Sequence, residues 1–168
     1  MSTWQVLFSI PLSTSNVSAE QSSEFFKVLR VTKLTQESEM KIFVDIRLYK
    51  TNQIATKFGV TLLPMEFKYV MSKLRRNRIG LKQNGRRAII LTKSQKEAMN
   101  IKVISRKTTD IWITKEDIQF LIENWRQIWN TISEARSSVL DNEMDEFNLN
   151  RNVEINNDNK IIDDETDL

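Results

Sequence analysis

The chain has 168 residues, of which 40% are hydrophobic and 28% are charged, and its formal net charge is +3. It contains neither cysteine nor histidine, which excludes disulfides, thiolate metal sites and the commonest general base. We therefore expect a protein that is not an enzyme and holds no metal and no cofactor. No stretch approaches the roughly 18 apolar residues of a membrane helix, and residues 1–13 lack the pattern of a secretory signal. The sequence thus predicts an intracellular protein, nuclear or cytoplasmic, with no membrane partner.

The first half of the chain predicts strands followed by a helix. Strands are expected at 4–12, 25–34, 41–50 and 58–63, with a polar linker at 16–23 and a loop at 51–57. Pro64 is well placed as the first residue of a helix, because its missing N–H costs nothing there. The apolar residues of that helix follow the i, i+3, i+4, i+7 pattern, at Phe67, Val70, Met71 and Leu74.

The strand at 41–50 alternates two kinds of side chain without a break. One face takes Ile42, Val44, Ile46 and Leu48, and the other takes Lys41, Phe43, Asp45, Arg47 and Tyr49. Cations meet a phosphate backbone and ring faces stack on unpaired bases, so the second face suits single-stranded nucleic acid. An ordinary half-buried strand with a solvated polar face is the alternative interpretation.

The second half of the chain follows a similar order. Strands are expected at 88–92, 101–105 and 111–114, and Thr114 is expected to cap the next helix with Asp117 at its third position. One helix is predicted to carry an apolar stripe of Ile118, Leu121, Ile122, Trp125, Ile128 and Ile132. Residues 59–71 align with 110–122, apolar to apolar at nearly every position, which indicates a degenerate internal repeat. Chance similarity between two strand-then-helix segments is the alternative.

These elements predict an α+β fold of two similar antiparallel-sheet-plus-helix units (β-β-β-α) packed as a pseudo-dimer. The first unit, with an additional N-terminal strand, spans 1–79, and the second, more degenerate unit spans 80–140. Residues 141–168 hold ten acidic and two basic residues, a net charge of −8, whereas residues 1–140 carry +11. The segment 141–168 is also poor in apolar residues, so a disordered acidic tail is expected. Such a tail either contacts replication or transcription proteins or only solubilises the chain.

A basic run connects the two predicted units. It contains Arg75, Arg76, Arg78, Lys82, Arg86 and Arg87. This run can follow a phosphate backbone, although the helix dipole alone would explain Arg75 and Arg76. Among the tryptophans, Trp125 and Trp129 are expected in a core or helix interface. Trp112 is expected either to stack on bases or to pack against the other unit.

Two segments resemble the single-stranded-DNA-binding domain of the transcriptional coactivator family called positive cofactor four. They are Lys-Ile-Phe-Val-Asp-Ile-Arg-Leu-Tyr at 41–49 and Lys-Phe-Gly-Val-Thr-Leu-Leu-Pro at 57–64. The resemblance, which covers about fifty residues, implies a curved antiparallel sheet on a long helix, with paired units forming channels for single strands. It also implies that Lys41 contacts DNA, and Lys57 matches the family's basic residue before the glycine. The chain departs from the family at Ser38 and Lys50, where the family has aromatic residues.

The sequence therefore predicts a protein that binds single-stranded DNA with low sequence specificity, in transcription or replication. The predicted binding residues are Lys27, Arg30, Lys33, Lys41, Phe43, Arg47, Tyr49, Lys57, Phe58, Arg86, Arg87, Lys102, Arg106 and Lys107. Single-stranded RNA is an alternative ligand, because stacking and phosphate contacts do not distinguish the sugars. A protein-interaction scaffold of a transcription or replication complex that has lost the DNA face is the rival hypothesis. A homodimer through the Trp-bearing last helix is a further prediction.

Overall fold

The computed structural model describes residues 1–12 and 25–140, with the side chains of 138–140 excepted. The first four strands are β1 (Ser2–Pro11), β2 (Phe25–Gln36), β3 (Glu39–Lys50) and β4 (Ala55–Leu62), followed by α1 (Pro64–Arg75). The next four are β5 (Gly80–Asn84), β6 (Arg87–Lys93), β7 (Met99–Ile104) and β8 (Thr108–Ile113), followed by α2 (Lys115–Glu123) and α3 (Trp125–Leu140). The predicted linker at 16–23 and the predicted tail at 141–168 lie outside the described residues.

The described strands form two four-stranded antiparallel sheets, in the orders β1-β2-β3-β4 and β5-β6-β7-β8. The predicted α+β class is confirmed. The second unit has one strand more than predicted, because β5 was interpreted as a basic connection. Its sequence Gly-Leu-Lys-Gln-Asn contains a single apolar residue, Leu81, which is exposed. No apolar alternation therefore marks this edge strand in the sequence.

The two predicted helix starts are confirmed. Pro64 is the first residue of α1, and the N–H of Leu63 donates to the Glu66 carboxylate at 2.8 Å. At α2, Thr114 Oγ1 accepts from the Asp117 N–H at 3.1 Å while the Asp117 carboxylate accepts from the Thr114 N–H at 3.0 Å. These reciprocal bonds satisfy donors that the first helical turn leaves unpaired.

The single long helix predicted for the end of the second unit is wrong, because it is interrupted at Asn124. The Asn124 side-chain amide donates to the carbonyl of Phe120 at 2.8 Å. The Asn124 N–H donates to the same carbonyl at 3.1 Å, but the φ and ψ of Asn124, −99° and 5°, depart from helical values. The polypeptide thus forms two helices, α2 and α3, on either side of this residue.

The inner faces of both sheets and the helices share one hydrophobic core. Val44 and Ile46 of the first sheet, Ile101 of the second, and Phe67 and Ile128 of the helices belong to the same buried cluster. Helix α3 contacts β1, β2 and β3, and β4 lies against β8 without pairing to it. The two sheets are therefore held together through side chains rather than through a continuous ladder of backbone hydrogen bonds.

The predicted packing of Trp125 and Trp129 agrees with the structure. Their rings stack at a centroid distance of 5.2 Å, and Trp125 also contacts Phe67 at 5.7 Å. Both tryptophans are partly buried against the core. Neither ring belongs to the outer faces of the sheets.

Among the described helices, none combines the length and apolar composition needed to cross a membrane.

Candidate nucleic-acid interface

The outer face of the first sheet, opposite the helices, brings aromatic and cationic side chains together. The strand register places Trp4, Leu34 and Lys41 in one row, and Val6, Thr32 and Phe43 in the next. The rings of Trp4 and Phe43 are 5.7 Å apart, and Trp4 is 60% exposed. We call Trp4, Val6, Lys41 and Phe43 the aromatic patch. It is an exposed apolar surface with a cation at its border.

Lys41 is available to an incoming ligand. Its side chain is 61% exposed, and its nearest carboxylate is that of Glu39 at 3.9 Å, which is also exposed. An exposed ion pair of this kind contributes little free energy, so a phosphate can compete for the ammonium group. Lys41 is thus an exposed cation in the same row of the sheet as the exposed Trp4 ring.

Arg47 lies on the same outer face but is held by its own sheet. Its Nη2 and Nε donate to the two Asp45 carboxylate oxygens at 2.9 and 3.1 Å, and Nη1 donates to the Thr56 carbonyl at 3.0 Å. The Asp45 carboxylate raises the pKa of Arg47 above its usual value, and partial burial opposes this rise. Thr61 donates a further bond to Asp45 at 2.7 Å. The positive charge is therefore compensated locally, and the three bonds that Arg47 donates would have to break before it turned to a phosphate.

Tyr49 has the outward orientation that strand alternation predicts, yet only 5% of it is exposed. The guanidinium carbon of Arg30 lies 4.5 Å from the centre of its ring, and Phe26 lies alongside at 6.1 Å. The ring face that a base would need is thus covered by neighbours on β2. Arg30 itself has a buried Nε without a hydrogen-bond partner among the described residues.

A bulge in β4 exposes Phe58 beside Lys57. The register between β3 and β4 passes from Arg47 opposite Gly59 to Tyr49 opposite Ala55, so β4 holds extra residues at this point. Phe58 is 53% exposed, and Lys57 Nζ lies 5.5 Å from its ring centre. Bulges commonly redirect side chains at the edge of a sheet. Here the bulge provides a second exposed ring and cation on the first sheet.

Lys27 and Lys33 do not share the outer face with the other predicted binding residues. The register of β2 places them on the same side as Leu29 and Val31, which are fully buried against the helices. Lys27 forms an ion pair with Asp117, at the start of α2. These two lysines therefore lie on the helix side of the sheet. Period-two alternation along β2 indicates in the sequence that they share a face with Leu29 and Val31.

The second sheet carries fewer outward rings and a different charge arrangement. Lys102 lies on its outer face, directly opposite Asp110 on β8, and Trp112 lies opposite Asn100. Trp112 is 48% exposed. The Asn100 amide donates to the Asp110 carboxylate at 3.0 Å. The second outer face thus presents one ring, and an acidic group lies next to its cation.

The remaining predicted cations lie in turns and between the units. Arg86, Arg106 and Lys107 are exposed in the turns that end β5 and β7. Arg87 donates from Nε and Nη2 to the Glu66 carboxylate at 2.7 and 3.0 Å, and from Nη2 to the Thr61 carbonyl at 2.7 Å. Arg87 therefore joins β6 to α1 and β4, and is committed to the internal structure.

Trp4 is the binding candidate that sequence reasoning missed. Alternation along β1 shows that Trp4 and Val6 share a face, but the neighbours of that face follow only from the pairing of β1 with β2.

Among residues 1–12 and 25–140, no group of three acidic, histidine or cysteine side chains is arranged to hold a metal ion. No protein-family model and no curated protein sequence matches the chain.

Proposed function

We propose that this protein binds single-stranded nucleic acid, DNA in the first place, through the outer face of its first sheet. The aromatic patch is the observation that carries this proposal, because it joins two rings and an available lysine on a face that the helices leave uncovered. Duplex DNA buries its ring faces in the stack, whereas a single strand offers them to an exposed side chain. Low sequence specificity follows, since every base has a ring face.

The arrangement of the patch suggests how one base is held. Trp4 and Phe43 already contact each other, so a base stacks on the exposed surface of Trp4 rather than between the two rings. Lys41, in the same row as Trp4, then reaches the adjoining phosphate. Phe58 and Lys57 repeat the combination of ring and cation elsewhere on the sheet. Binding releases counterions from the phosphates and requires no catalysis.

The likeness to the positive cofactor four family and the pseudo-dimer arrangement belong to the same proposal. The sequence repeat aligns Pro64 with Lys115, and these are the first residues of α1 and α2. The two sheets also have the same strand order. We infer that the second unit is a diverged copy of the first that provides a weaker nucleic-acid surface. The acidic segment 141–168 would then recruit replication or transcription proteins, in the nucleus or cytoplasm.

Fluorescence anisotropy with labelled oligothymidylate, the matching RNA and a duplex tests the proposal across a salt series. The informative variant is Lys41→Glu, and Lys96→Glu is its control, because both lysines are exposed and the charge change is identical. We expect single strands to bind more tightly than the duplex, with affinity that falls steeply with salt and falls further in Lys41→Glu alone. Equal loss in both variants would indicate a general charge effect, and no binding by the native protein would refute the proposal.

A protein-interaction scaffold is the second candidate, and a specific observation favours it. Ile79, the last residue of the first unit, and Leu81 and Trp112 of the second unit are each at least 48% exposed. A partner protein would bury these side chains. Absence of nucleic-acid binding together with protection of Trp112 from quenching in a native complex would favour the scaffold.

A further inference from the structure

The free edge of the second sheet is the most cationic part of the described structure. Residues 67–96 contain ten lysines and arginines and no aspartate or glutamate. We call the side chains at the end of α1 and along β5 that belong to this stretch the basic rim. Its members are Lys73, Arg75, Arg76, Arg78, Lys82 and Arg86.

The chain geometry gathers these residues instead of spreading them along the sequence. At the end of α1, the N–H groups of Asn77 and Arg78 donate to the carbonyls of Leu74 and Lys73 at 3.1 and 3.0 Å, and Asn77 has a φ of 52°. This is the arrangement that turns a chain sharply after a helix. It sends β5 back past α1, so that Lys82 comes close to Lys73, whereas Arg75 lies over the ring of Trp125, 5.1 Å from its centre.

Tyr69 of α1 lies against the start of β5. Burial beside β5 raises the pKa of Tyr69, and the backbone of Leu81 opposes this rise. Gly80 leaves no room for a larger residue, because a Cβ there would overlap the Tyr69 hydroxyl. Lys73 Nζ and Lys82 Nζ both lie near the Tyr69 ring, 5.6 and 5.5 Å from its centre. Two ammonium groups are thus drawn to one ring.

The rim lacks internal counterions. Within the described residues, no carboxylate lies within salt-bridge distance of any of its six cations. The neighbouring Arg87 differs, since Glu66 compensates its charge. The helix dipole stabilises Lys73 and Arg75 in the last turn of α1, but it does not account for Lys82 and Arg86. Repulsion among uncompensated cations is relieved by a polyanion.

We propose that the basic rim is a second phosphate-binding surface, which takes the backbone of a nucleic-acid strand as it leaves the outer face of the second sheet. This inference rests on the proposed function. β5 is the edge strand of that sheet, with Leu81 on the outer side and Lys82 on the side of α1. A nucleic-acid strand that crosses Lys102 and Leu81 on the outer face and then passes around the edge formed by β5 therefore meets Lys82, Arg78 and Arg86 next. The rim contributes charge and no exposed ring, so it binds phosphates without selecting bases.

The test compares a rim variant with a control of equal charge change. The rim variant carries Arg78→Gln, Lys82→Gln and Arg86→Gln, and the control carries Lys50→Gln, Lys96→Gln and Arg126→Gln, three exposed cations outside the rim. Both keep Tyr69 and the Arg87 ion pair. Anisotropy is measured with oligothymidylates of about 10 and about 30 nucleotides, lengths that bracket the usual site of a single-strand-binding domain.

For the longer oligonucleotide, we expect the rim variant to lose affinity and its logarithmic salt slope to flatten by about 2, since each phosphate contact contributes about 0.7. The shorter oligonucleotide, which the first sheet can hold alone, should bind the rim variant and the native protein equally. The control should match the native protein on both lengths.

Three results would overturn the inference. An unchanged salt slope in the rim variant, with normal binding by the native protein, would exclude the rim and leave the proposed function standing. An unchanged slope together with lost affinity for a labelled peptide of residues 141–168 would assign the rim to the acidic segment of the chain. No binding of either oligonucleotide by the native protein would refute the proposed function, and the rim with it.

Discussion

The two sheets of this protein have the same strand order and the same apolar inner face, but they differ in what they present outward. The first sheet exposes Trp4 next to Phe43, with Lys41 in the same row as Trp4. The second exposes Trp112 beside Asn100, and its Lys102 faces Asp110. Inner faces are constrained by a shared core, whereas outer faces are free to diverge. One set of alternate residues therefore maintains the fold, and the other set is free to form the proposed binding surface.

The free edges differ as strongly as the faces. β1 contains no charged residue along its ten positions, and β5 belongs to a stretch that is cationic throughout. Uncharged edges pair readily with other strands, and charged edges resist such pairing. The first edge is interrupted only by a register shift between Val6 and Phe8. The second sheet is therefore the one whose edge is protected by charge.

The largest expected effect comes from breaking the link between the two units. In Glu66→Ala, the Arg87 guanidinium loses its carboxylate partner, and the Leu63 N–H loses its acceptor. We expect the free energy of unfolding in urea to fall by about 2–4 kcal/mol, less than for a fully buried pair because Arg87 is partly solvated. Circular dichroism and tryptophan fluorescence should report one coincident transition, since both sheets share a core.

The matched control for that variant is Glu39→Ala, which removes an exposed carboxylate 3.9 Å from Lys41. Its unfolding free energy should stay within about 0.5 kcal/mol of the native value. Two separate unfolding transitions in the native protein would contradict a single cooperative unit and would show that the sheets are independent domains.

The second effect separates the two outer faces. Trp4→Ala should weaken oligothymidylate binding by about 5- to 150-fold, which corresponds to the 1–3 kcal/mol of one base stacked on an aromatic ring. Trp112→Ala should have a clearly smaller effect, because no second ring supports Trp112 and an acidic group lies near it. Anisotropy titrations measure both. Equal losses would mean that both faces bind alike, and the functional distinction between the sheets would fail.

The third effect concerns the close packing of β4 against β3 at Gly59. A Cβ on Gly59 would lie 2.7 Å from the Ile46 carbonyl oxygen and 2.8 Å from the Arg47 Cα. Gly59→Ala should therefore cost about 1–3 kcal/mol of stability through overpacking. Gly85, in the turn after β5, has a φ of 60° and open space around it. Since asparagine tolerates this conformation, Gly85→Asn should change stability by less than about 0.5 kcal/mol in the same urea experiment.

The smallest effect compares two single lysines on the outer faces. Lys41→Gln should flatten the salt slope of single-strand binding by about 0.7, the contribution of one phosphate contact. Lys102→Gln should flatten it less, because the Asp110 carboxylate directly opposite Lys102 repels a phosphate at that position. Titrations from low to moderate salt, with both variants in parallel, provide the comparison. A larger change for Lys102→Gln would place the main phosphate contacts on the second sheet.

Much of the fold follows from local patterns, and the failures have local causes as well. Pro64 and Thr114 mark the helix starts because their chemistry suits the first turn. β5 was missed because its residues show no apolar alternation. The interruption at Asn124 was not predicted because the apolar stripe continues across it, whereas the backbone leaves helical geometry at this residue.

The candidate site was less predictable than the fold. Lys41 and Phe58 lie exposed on the first sheet, but their contribution to binding stays a prediction. Tyr49 has the predicted outward orientation and is nevertheless covered by Arg30. Arg47 is tied to Asp45, two positions away on its own strand. Exposure and pairing depend on neighbours across the sheet, which strand alternation alone does not identify.

The α+β class, the two helix starts and the apolar inner faces of the strands follow from the sequence, because they depend on period, capping chemistry and apolar burial along the chain. The excess of positive charge over residues 1–140 follows from composition. The contact of Trp4 with Phe43 and the ion pairs of Lys27 and Arg87 between the units become visible in the folded chain. Those outcomes depend on strand register and on contacts between residues far apart in sequence, and no local pattern fixes either.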